Sequence, residues 1–207
     1  MIGVVDYGAG NLASVTNALG FLGAPWRLVR TSADLQVVDS LVFPGVGAAR
    51  PAMDQLRASG LDQGLVEYLH SGRPYLGICL GLQLLFQHSA EDDSLCLGFF
   101  AGKVVRLTTS QKVPHVGWNT VDVTRPTPGL EGVDGTYFYF THSYVVQPTN
   151  RDVVSAVTEH GRAFVSAVAQ GQILGVQFHP ERSGRDGLRL LHQFCLRAVA
   201  ETRTHAG

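Results

Sequence analysis

The chain has 207 residues, of which 45% are hydrophobic and 16% charged, and its formal net charge at pH 7 is −1. This composition is typical of a folded globular protein, and the near-neutral charge gives no electrostatic basis for binding nucleic acid or a membrane surface. No stretch approaches the length of an apolar membrane span, and no linker-like segment divides the chain. We therefore expect one domain over residues 1–207.

The N-terminus and the cysteines indicate a cellular compartment. Residues 1–6 lack the basic region and long apolar core of a signal peptide, so we expect them to form a first strand. Cys79, Cys96 and Cys195 are spaced like neither a metal site nor a disulfide framework. Their pattern favours a reducing, cytoplasmic location, with no metal and no cofactor.

The first 90 residues alternate strand and helix patterns. Apolar and β-branched runs predict strands over 2–6, 26–29, 40–43 and 74–79. Helical spacing of apolar residues predicts helices over 11–22, 51–58 and 61–70, the first with Asn11 as its N-cap. The run at 74–79 is apolar throughout, which is typical of a parallel strand covered on both faces.

After residue 97 the strand patterns become shorter and turn residues separate them. Strands are predicted over 104–107, 120–123, 137–140, 153–158, 164–168 and 173–178, followed by a helix over 187–199. Cys195 lies on the apolar face of that helix, which favours a packing role for it. The predicted fold class is α/β, an open mixed sheet with a parallel core, an antiparallel extension and helices on both faces.

The segment GICLG at 77–81 has the pattern of a nucleophile elbow. In such an elbow a strand ends in a strained turn that exposes one reactive side chain, and small residues on either side let strand and helix approach closely. Gly77 and Gly81 fit those positions around Cys79. The N-terminus of a following helix would favour the thiolate. The alternative is a buried, unreactive cysteine.

A catalytic cysteine requires a base and a group that orients the base. In FHPE at 178–181, Pro180 keeps the preceding residue extended. If the extended path continues to Glu181, period-two geometry places His179 and Glu181 on the same side. Glu181 could accept one imidazole N–H while the other ring nitrogen faces Cys79. A histidine at a strand end beside a solvated glutamate is the other interpretation.

Acyl transfer also requires donors for the developing oxyanion. The PGVG turn at 44–47 follows an apolar strand, and its glycines allow the backbone N–H groups near Val46 and Gly47 to be aimed. The N–H of Leu80, directly after the cysteine, would be the second donor. An ordinary turn between a strand and a helix remains the alternative.

Two further patterns give weak indications of nucleotide binding and of metal binding. The segment GAGNLA at 8–13 satisfies the GxGxxG/A dinucleotide fingerprint, but no acid stands at the end of the second predicted strand, where only Arg30 could contact a phosphate. His115 and His142 could be considered metal ligands, but their spacing matches no metal motif. Neither nucleotide nor metal binding is therefore expected.

GICLG, FHPE and PGVG together resemble the class I (triad) glutamine amidotransferases over nearly the whole chain. Three further segments are more selective: DYGAGN at 6–11, PHVGWN at 114–119 and YFTHSY at 139–144. They are similar to the family of glutaminase subunits of imidazole glycerol phosphate synthase, in histidine biosynthesis. Ala48 and Ala49 depart from that pattern, because an aromatic residue often follows PGVG there.

The resemblance implies a mechanism and a partner. Cys79 would attack the side-chain amide of glutamine, with His179 and Glu181 completing a triad. Ammonia would pass into a separate (β/α)8-barrel cyclase subunit, as in an allosteric heterodimer. Family positions around bound glutamine match Gly47, Gln83, His142, Ser143 and Tyr144, and those facing the partner match Asn11, Trp118, Tyr139 and Arg182.

Two other functions remain open on the sequence. The chain could be a regulatory or binding subunit that keeps the fold without the chemistry. It could also be a related stand-alone hydrolase of γ-glutamyl compounds, which would be active without a partner. The resemblance instead implies an isolated chain of low activity, because the PGVG peptide is thought to reorient before one of its N–H groups faces the oxyanion.

Overall fold

The computed structural model describes residues 1–8 and 11–204, with side chains described as far as residue 197. The strands are β1 (Ile2–Val5), β2 (Trp26–Val29), β3 (Ser40–Gly45), β4 (Tyr75–Cys79), β5 (Phe86–Ser89), β6 (Ser94–Leu95), β7 (Phe100–Arg106), β8 (His115–Val123), β9 (Thr136–His142), β10 (Tyr144–Pro148), β11 (Val154–Glu159), β12 (Ala163–Gln170) and β13 (Ile173–Val176). The helices are α1 (Leu12–Phe21), α2 (Ala49–Ala58), α3 (Leu61–His70), α4 (Leu80–Gln83) and α5 (Gly184–Thr204).

The parallel part of the sheet has the strand order β2-β1-β3-β4-β13. Its strands are short and apolar, and β1, β3, β4 and β13 are buried along their whole length. The register places Gly45 opposite Cys79. The ends of β3 and β4, and with them the predicted PGVG turn and elbow, therefore meet at the carboxyl edge, where open α/β sheets place their sites.

The antiparallel part continues from β13 through β12, β10 and β7, and ends with β5 and β6. Strands β11, β8 and β9 form a second branch that leaves β12 through β11. One pair in this half, β5 with β7, is parallel. The predicted parallel core with an antiparallel extension is confirmed.

Each face of the sheet carries its own hydrophobic cluster, because neighbouring residues on a strand point to opposite sides. Helices α2 and α3 pack into one cluster with Leu41 and Phe43 of β3. Helices α1 and α5 pack into the other with Val42 of the same strand. Cys195 belongs to that second cluster, as its position on the helix predicts. Helices therefore cover both faces.

Strands β5, β6 and β10 were not predicted. They are short, and β5 and β6 mix exposed and buried positions without a long apolar run, so tertiary pairing decides their conformation. Asn11 precedes α1 as predicted, but its side chain bonds to the Ser14 hydroxyl (2.8 Å) and caps no backbone N–H. No helix in the described ranges is long and apolar enough to cross a membrane.

The helix after the elbow, α4, contains only four residues. Few peptide dipoles are aligned in it, and the contribution of a helix dipole at Cys79 is correspondingly small. The predicted close packing of the elbow is confirmed, however. A Cβ on Gly81 would lie 2.0 Å from the Phe43 carbonyl oxygen, and one on Gly77 would lie 2.5 Å from the Gly81 carbonyl oxygen.

Gly81→Ala is expected to destabilise the fold, because the added methyl group meets a backbone carbonyl that belongs to a central strand and cannot move aside. A forced shift of this kind costs about 1–3 kcal/mol or more. Urea unfolding measures the change in the free energy of unfolding.

Gly20→Ala is the matched control, since a Cβ there meets nothing within 4 Å in helix α1. It should be neutral or stabilise by about 0.5–1 kcal/mol through its helix propensity. Equal free energies for both variants would mean that the elbow tolerates a side chain.

Candidate active site

Cys79 occupies the strained position that a nucleophile elbow requires. It is the last residue of β4, with φ +53° and ψ −102°, a left-handed backbone conformation that non-glycine residues rarely adopt. Such strain costs about 1–3 kcal/mol and is typical of functional positions. The Tyr75 hydroxyl donates to the Gly81 carbonyl at 2.9 Å and so supports the turn from within.

His179 and Glu181 lie together as the sequence predicts, but not for the predicted reason, because Pro180–Arg182 form a 3-10 turn in place of a continued strand. Nδ1 of His179 lies 2.8 Å from Oε1 of Glu181, and both side chains are only 1% exposed. The backbone N–H of His179 donates to the Tyr139 carbonyl at 2.9 Å. The Ser183 hydroxyl donates to the His179 carbonyl at 2.6 Å and accepts the Tyr139 N–H at 3.0 Å. The histidine is therefore held from both sides.

The environment of His179 favours its charged form. Burial by itself lowers the pKa, but interaction with the Cys79 sulfur and the Glu181 carboxylate outweighs it and raises the pKa from 6.5 to about 10. Nε2 of His179 makes no hydrogen bond of normal length with the described residues, although Cys79 is close enough to act on it. The imidazolium can thus hold a thiolate and later release its proton.

A cavity of about 500 Å³ opens beside Cys79. Its lining contains Cys79, two of the predicted oxyanion-hole residues and all five predicted substrate positions. The predicted residues His179, Glu181 and Leu80 lie outside the lining. The lining residues are Val46, Gly47, Ala48, Cys79, Gln83, Glu91, Pro114, Thr141, His142, Ser143, Tyr144 and Arg182.

The PGVG turn lies directly against the elbow. A Cβ on Gly45 would be 2.7 Å from that of Leu80, and Gly47 has φ +93°. The Tyr7 hydroxyl, which sequence reasoning missed, lies 3.3 Å from the Val46 carbonyl oxygen and anchors the turn. Burial raises the pKa of Tyr7 to about 12, so the hydroxyl remains a donor.

Glu91 is a second residue that sequence reasoning missed. It lies in the loop between β5 and β6 and lines the cavity. Burial raises the pKa of its carboxyl above the usual value. It supplies the carboxylate of the cavity lining, but nothing in a run of acidic loop residues distinguishes it from Asp92 or Asp93.

Comparison with known proteins agrees with this geometry. Residues 3–198 match the family model for "Glutamine amidotransferase class-I". The chain belongs to this family. It is 44% identical to the "Imidazole glycerol phosphate synthase subunit HisH" of Desulfitobacterium hafniense (strain DSM 10664 / DCB-2), over 94% of this chain and 93% of that protein.

Two other relatives extend the comparison. The chain is 43% identical to the chloroplastic "Imidazole glycerol phosphate synthase hisHF" of Arabidopsis thaliana, which covers 94% of this chain but only 34% of that longer protein. A solved structure described as a glutamine amidotransferase superposes with a TM-score of 0.75 at 23% identity, covering 96% of this chain and 98% of that chain. At that identity the superposition shows the fold.

In this amidotransferase, three of the residues predicted to face a partner form one surface. The Arg182 guanidinium lies over the Tyr139 ring, 4.4 Å from its centroid. The rings of Tyr139 and Trp118 meet edge to face at 6.2 Å, and Trp118 is 56% exposed. Asn11 precedes α1, which packs against the 180–182 turn.

The patterns that favoured other chemistry have structural explanations. Arg30 is paired with Asp6 at 2.7 Å, and residues 9–10 of the glycine-rich segment lie outside the described ranges. Nδ1 of His115 lies 3.1 Å from Nε2 of His142, so each histidine has a protein partner. Within the described residues, no group of three His, Cys, Asp or Glu side chains could hold a metal ion.

The pKa of His179 should fall when its charged neighbour is removed. Cys79→Ala takes away the sulfur that helps to raise this pKa to about 10, so the imidazole should titrate at lower pH. Nitrogen-15 NMR of the imidazole group measures the titration directly.

The sign of the stability effect also follows. A raised folded-state pKa stabilises the folded state fully below pH 6.5, and the contribution is lost as the pH rises towards about 10. Cys79→Ala should lose less stability over that window in urea unfolding. Cys195→Ala is the control, because that thiol lies on α5 and is not among the groups that shift the pKa of His179. Identical His179 titrations in all three proteins would mean that the sulfur does not act on the imidazole.

Proposed function

We propose that this chain is the glutaminase subunit of an imidazole glycerol phosphate synthase, a single amidotransferase domain over residues 1–207 that acts in the cytoplasm. The observation that carries the proposal is the cavity in which Cys79 meets Gly47, Gln83 and the 142–144 segment. Relatives named as this subunit match nearly the whole chain at 44% identity. Three free thiols, all in the described residues, support the location.

The reaction begins with attack of the Cys79 sulfur on the side-chain amide carbon of glutamine. A sulfur–carbon bond forms, and the carbonyl oxygen becomes an oxyanion that the backbone N–H groups at Val46, Gly47 and Leu80 stabilise. His179, oriented by its bond to Glu181, gives its proton to the amide nitrogen, and ammonia leaves. The product of this step is a glutamyl thioester.

The second half of the reaction uses the same groups, but His179 now accepts a proton where it previously donated one. With ammonia gone, neutral His179 takes a proton from water as the water attacks the thioester carbon. The sulfur–carbon bond breaks, glutamate leaves, and the proton on His179 again stabilises the Cys79 thiolate. The buried Glu181 carboxylate keeps the imidazole in the required orientation throughout.

Glutamine binding uses the remaining walls of the cavity. Gly47, Gln83, His142, Ser143 and Tyr144 all line it, and Tyr144 already accepts hydrogen bonds from two of these side chains. The cavity lining also contains Glu91, whose carboxylate complements the α-ammonium group of the substrate. Glu91 and Arg182 are the Asp, Glu, Lys or Arg residues in the lining, so Glu91 supplies the negative charge that selects for the ammonium group.

The partner in this proposal is a (β/α)8-barrel cyclase subunit that receives the ammonia, and Asn11, Trp118, Tyr139 and Arg182 face it. Exposed aromatic and arginine side chains are the residues that most often dominate binding at protein interfaces. The Arabidopsis relative bears the name of the synthase and is about three times longer than the region that this chain matches, which supports a partner activity in its remaining length.

Glutaminase activity should depend on Cys79 and on the partner. In the complex with the cyclase and its bound ligand, Cys79→Ala should abolish glutamate production, a loss of about a thousandfold or more as for other nucleophile deletions. Cyclase ligand should raise the turnover of the wild type, since it stabilises the active state of the PGVG turn. A coupled assay for glutamate measures both.

The results of this assay distinguish the glutaminase subunit from a regulatory subunit and from a stand-alone hydrolase. Undiminished turnover in Cys79→Ala would remove Cys79 as nucleophile, and an assembled complex that makes no glutamate would indicate a regulatory subunit without chemistry. High activity of the isolated chain would indicate a stand-alone γ-glutamyl hydrolase. Turnover that does not change up to saturating ligand would show that the two sites are not coupled.

Trp118→Ala should weaken assembly with the cyclase, because truncating a central interface aromatic typically costs about 2 kcal/mol or more. Isothermal titration calorimetry of the two subunits measures the dissociation constant. Leu95→Ala is the matched control, an apolar side chain that is 68% exposed on β6 at the far end of the sheet. Equal affinities for the two variants would place the partner on another surface.

A further inference from the structure

Gln177 brings a polar side chain outside the triad to Cys79. It follows β13 directly, is fully buried, and its backbone N–H donates to the Ser166 carbonyl at 2.9 Å. Its side-chain Nε2 lies 3.5 Å from the Cys79 sulfur. Its Oε1 lies 3.2 Å from Nε2 of Gln83. Both ends of the amide are therefore engaged inside the site.

The orientation of this amide follows from one backbone carbonyl. The Tyr144 carbonyl oxygen can only accept hydrogen bonds, so the group of Gln83 that lies 3.1 Å from it must be the Nε2 donor. The same Nε2 then donates to Gln177, whose nearer atom must be Oε1. The other end of the Gln177 amide, an N–H donor, is left facing the Cys79 sulfur.

A second chain of hydrogen bonds starts from the same Tyr144 carbonyl oxygen and fixes the tautomers of two histidines. Nδ1 of His142 lies 2.9 Å from this oxygen and must donate to it, so Nε2 of His142 accepts from Nδ1 of His115 at 3.1 Å. Nε2 of His115 then accepts from the Asn119 amide at 3.3 Å. Burial lowers the pKa of His115 to about 4 and that of His142 to about 3, which is consistent with these neutral tautomers.

We propose that the Gln177 amide is a further catalytic contact of the reaction, which donates an N–H to the Cys79 sulfur and stabilises it as a thiolate. The proton of the thiol passes to His179, and the amide keeps both of its own hydrogens. A hydrogen bond to a charged acceptor is stronger than one to a neutral acceptor, so the contact favours the thiolate over both the thiol and the thioester.

The contact also connects the nucleophile to the substrate wall. Gln83 lines the cavity and donates to Gln177, so the position of one amide limits that of the other. A side chain that merely filled the core would not need its donor aimed at sulfur. Loss of the donor should therefore change the ionisation of Cys79 and the turnover, and should leave glutamine affinity nearly unchanged.

This inference rests on the proposed function, in which Cys79 is the nucleophile. In the complex with the cyclase and its ligand, Gln177→Met removes the donor to Cys79 and also the acceptor for Gln83, at similar side-chain length. We expect kcat to fall about tenfold, the equivalent of about 1.4 kcal/mol. KM should stay within about twofold in Gln177→Glu, which keeps the acceptor for Gln83. The midpoint of the pH dependence of iodoacetamide alkylation at Cys79, followed by mass spectrometry, should rise by about one pH unit.

Gln177→Glu tests the donor alone. It keeps an acceptor for Gln83 and places a second oxygen where the N–H was, so turnover at pH 8 should fall below that of Gln177→Met. Gln193→Met is the matched control, a half-buried glutamine on α5 that bonds to the Glu131 carbonyl. Gln177→Met or Gln177→Glu with wild-type kcat and an unchanged alkylation profile would overturn the proposal.

A measurement on the folded wild type keeps the test independent of how well the variants fold. The Nε2 protons of Gln177 should shift in NMR spectra as Cys79 ionises, and Cys79→Ala should abolish that shift. If the chemical shifts of these protons did not change as Cys79 ionises, the inference would be overturned. Failure of the proposed function would give a different result. In that case Cys79→Ala would keep its glutaminase turnover, or the wild-type complex would make no glutamate. The NMR test of the contact between Gln177 and Cys79 does not depend on either outcome.

Discussion

The contact between the backbone of Gly81 and the carbonyl of Phe43 is the constraint on which the site depends. With no side chain at Gly81, α4 can lie against the end of β3, and the turn between β4 and α4 is forced into its strained conformation. That turn lifts Cys79 clear of the sheet edge. It also places Gln83 at the end of α4, where its amide reaches the 142–144 segment.

The two halves of the sheet contribute different walls of the cavity. The parallel core supplies Cys79 and the turn that contains Gly47, and the antiparallel extension supplies the opposite wall at 141–144. The segment that follows β13 joins them, because the backbone of His179 is hydrogen-bonded to Tyr139 of β9. A shift of β9 would therefore move both His179 and the cavity wall at Thr141 and His142. Tyr139, which belongs to the aromatic surface with Trp118 of β8, also lies on β9.

The environment raises the pKa of one histidine in this region, His179, and lowers the pKa values of two others, His115 and His142. His179 sits between a sulfur and a carboxylate, and its pKa rises to about 10 despite burial. His142 and His115 are buried beside other histidines with only neutral hydrogen-bond partners, and their pKa values fall. Environments that separate the pKa values of similar groups are typical of acid–base sites. Here one histidine carries the proton, and the other two serve as uncharged, oriented hydrogen-bond links.

Much of this architecture can be predicted from the sequence because it depends on local patterns. Alternating apolar runs indicated the parallel core and both layers of helices, and the spacing of Cys79, His179 and Glu181 within their motifs indicated which groups would meet. Glycines at 77 and 81 marked the elbow, since a side chain at either position would collide with backbone. These features need only short-range geometry and the rule that parallel strands share a carboxyl edge.

Other features depended on contacts between distant parts of the chain. Strands β5, β6 and β10 have weak patterns of their own and form through pairing, and α4 stops after one turn because β5 begins directly behind it. Glu91 and Gln177 reach the site from a loop and a strand end that no quoted motif includes. Tyr7 belongs to the DYGAGN segment, but that pattern does not predict its bond to the PGVG turn. The sequence by itself determined the fold class and predicted that Cys79 and His179 would act together. Only the tertiary structure decided which amides, carboxylates and hydroxyls surround them, because burial and hydrogen-bond direction arise when separate segments pack together.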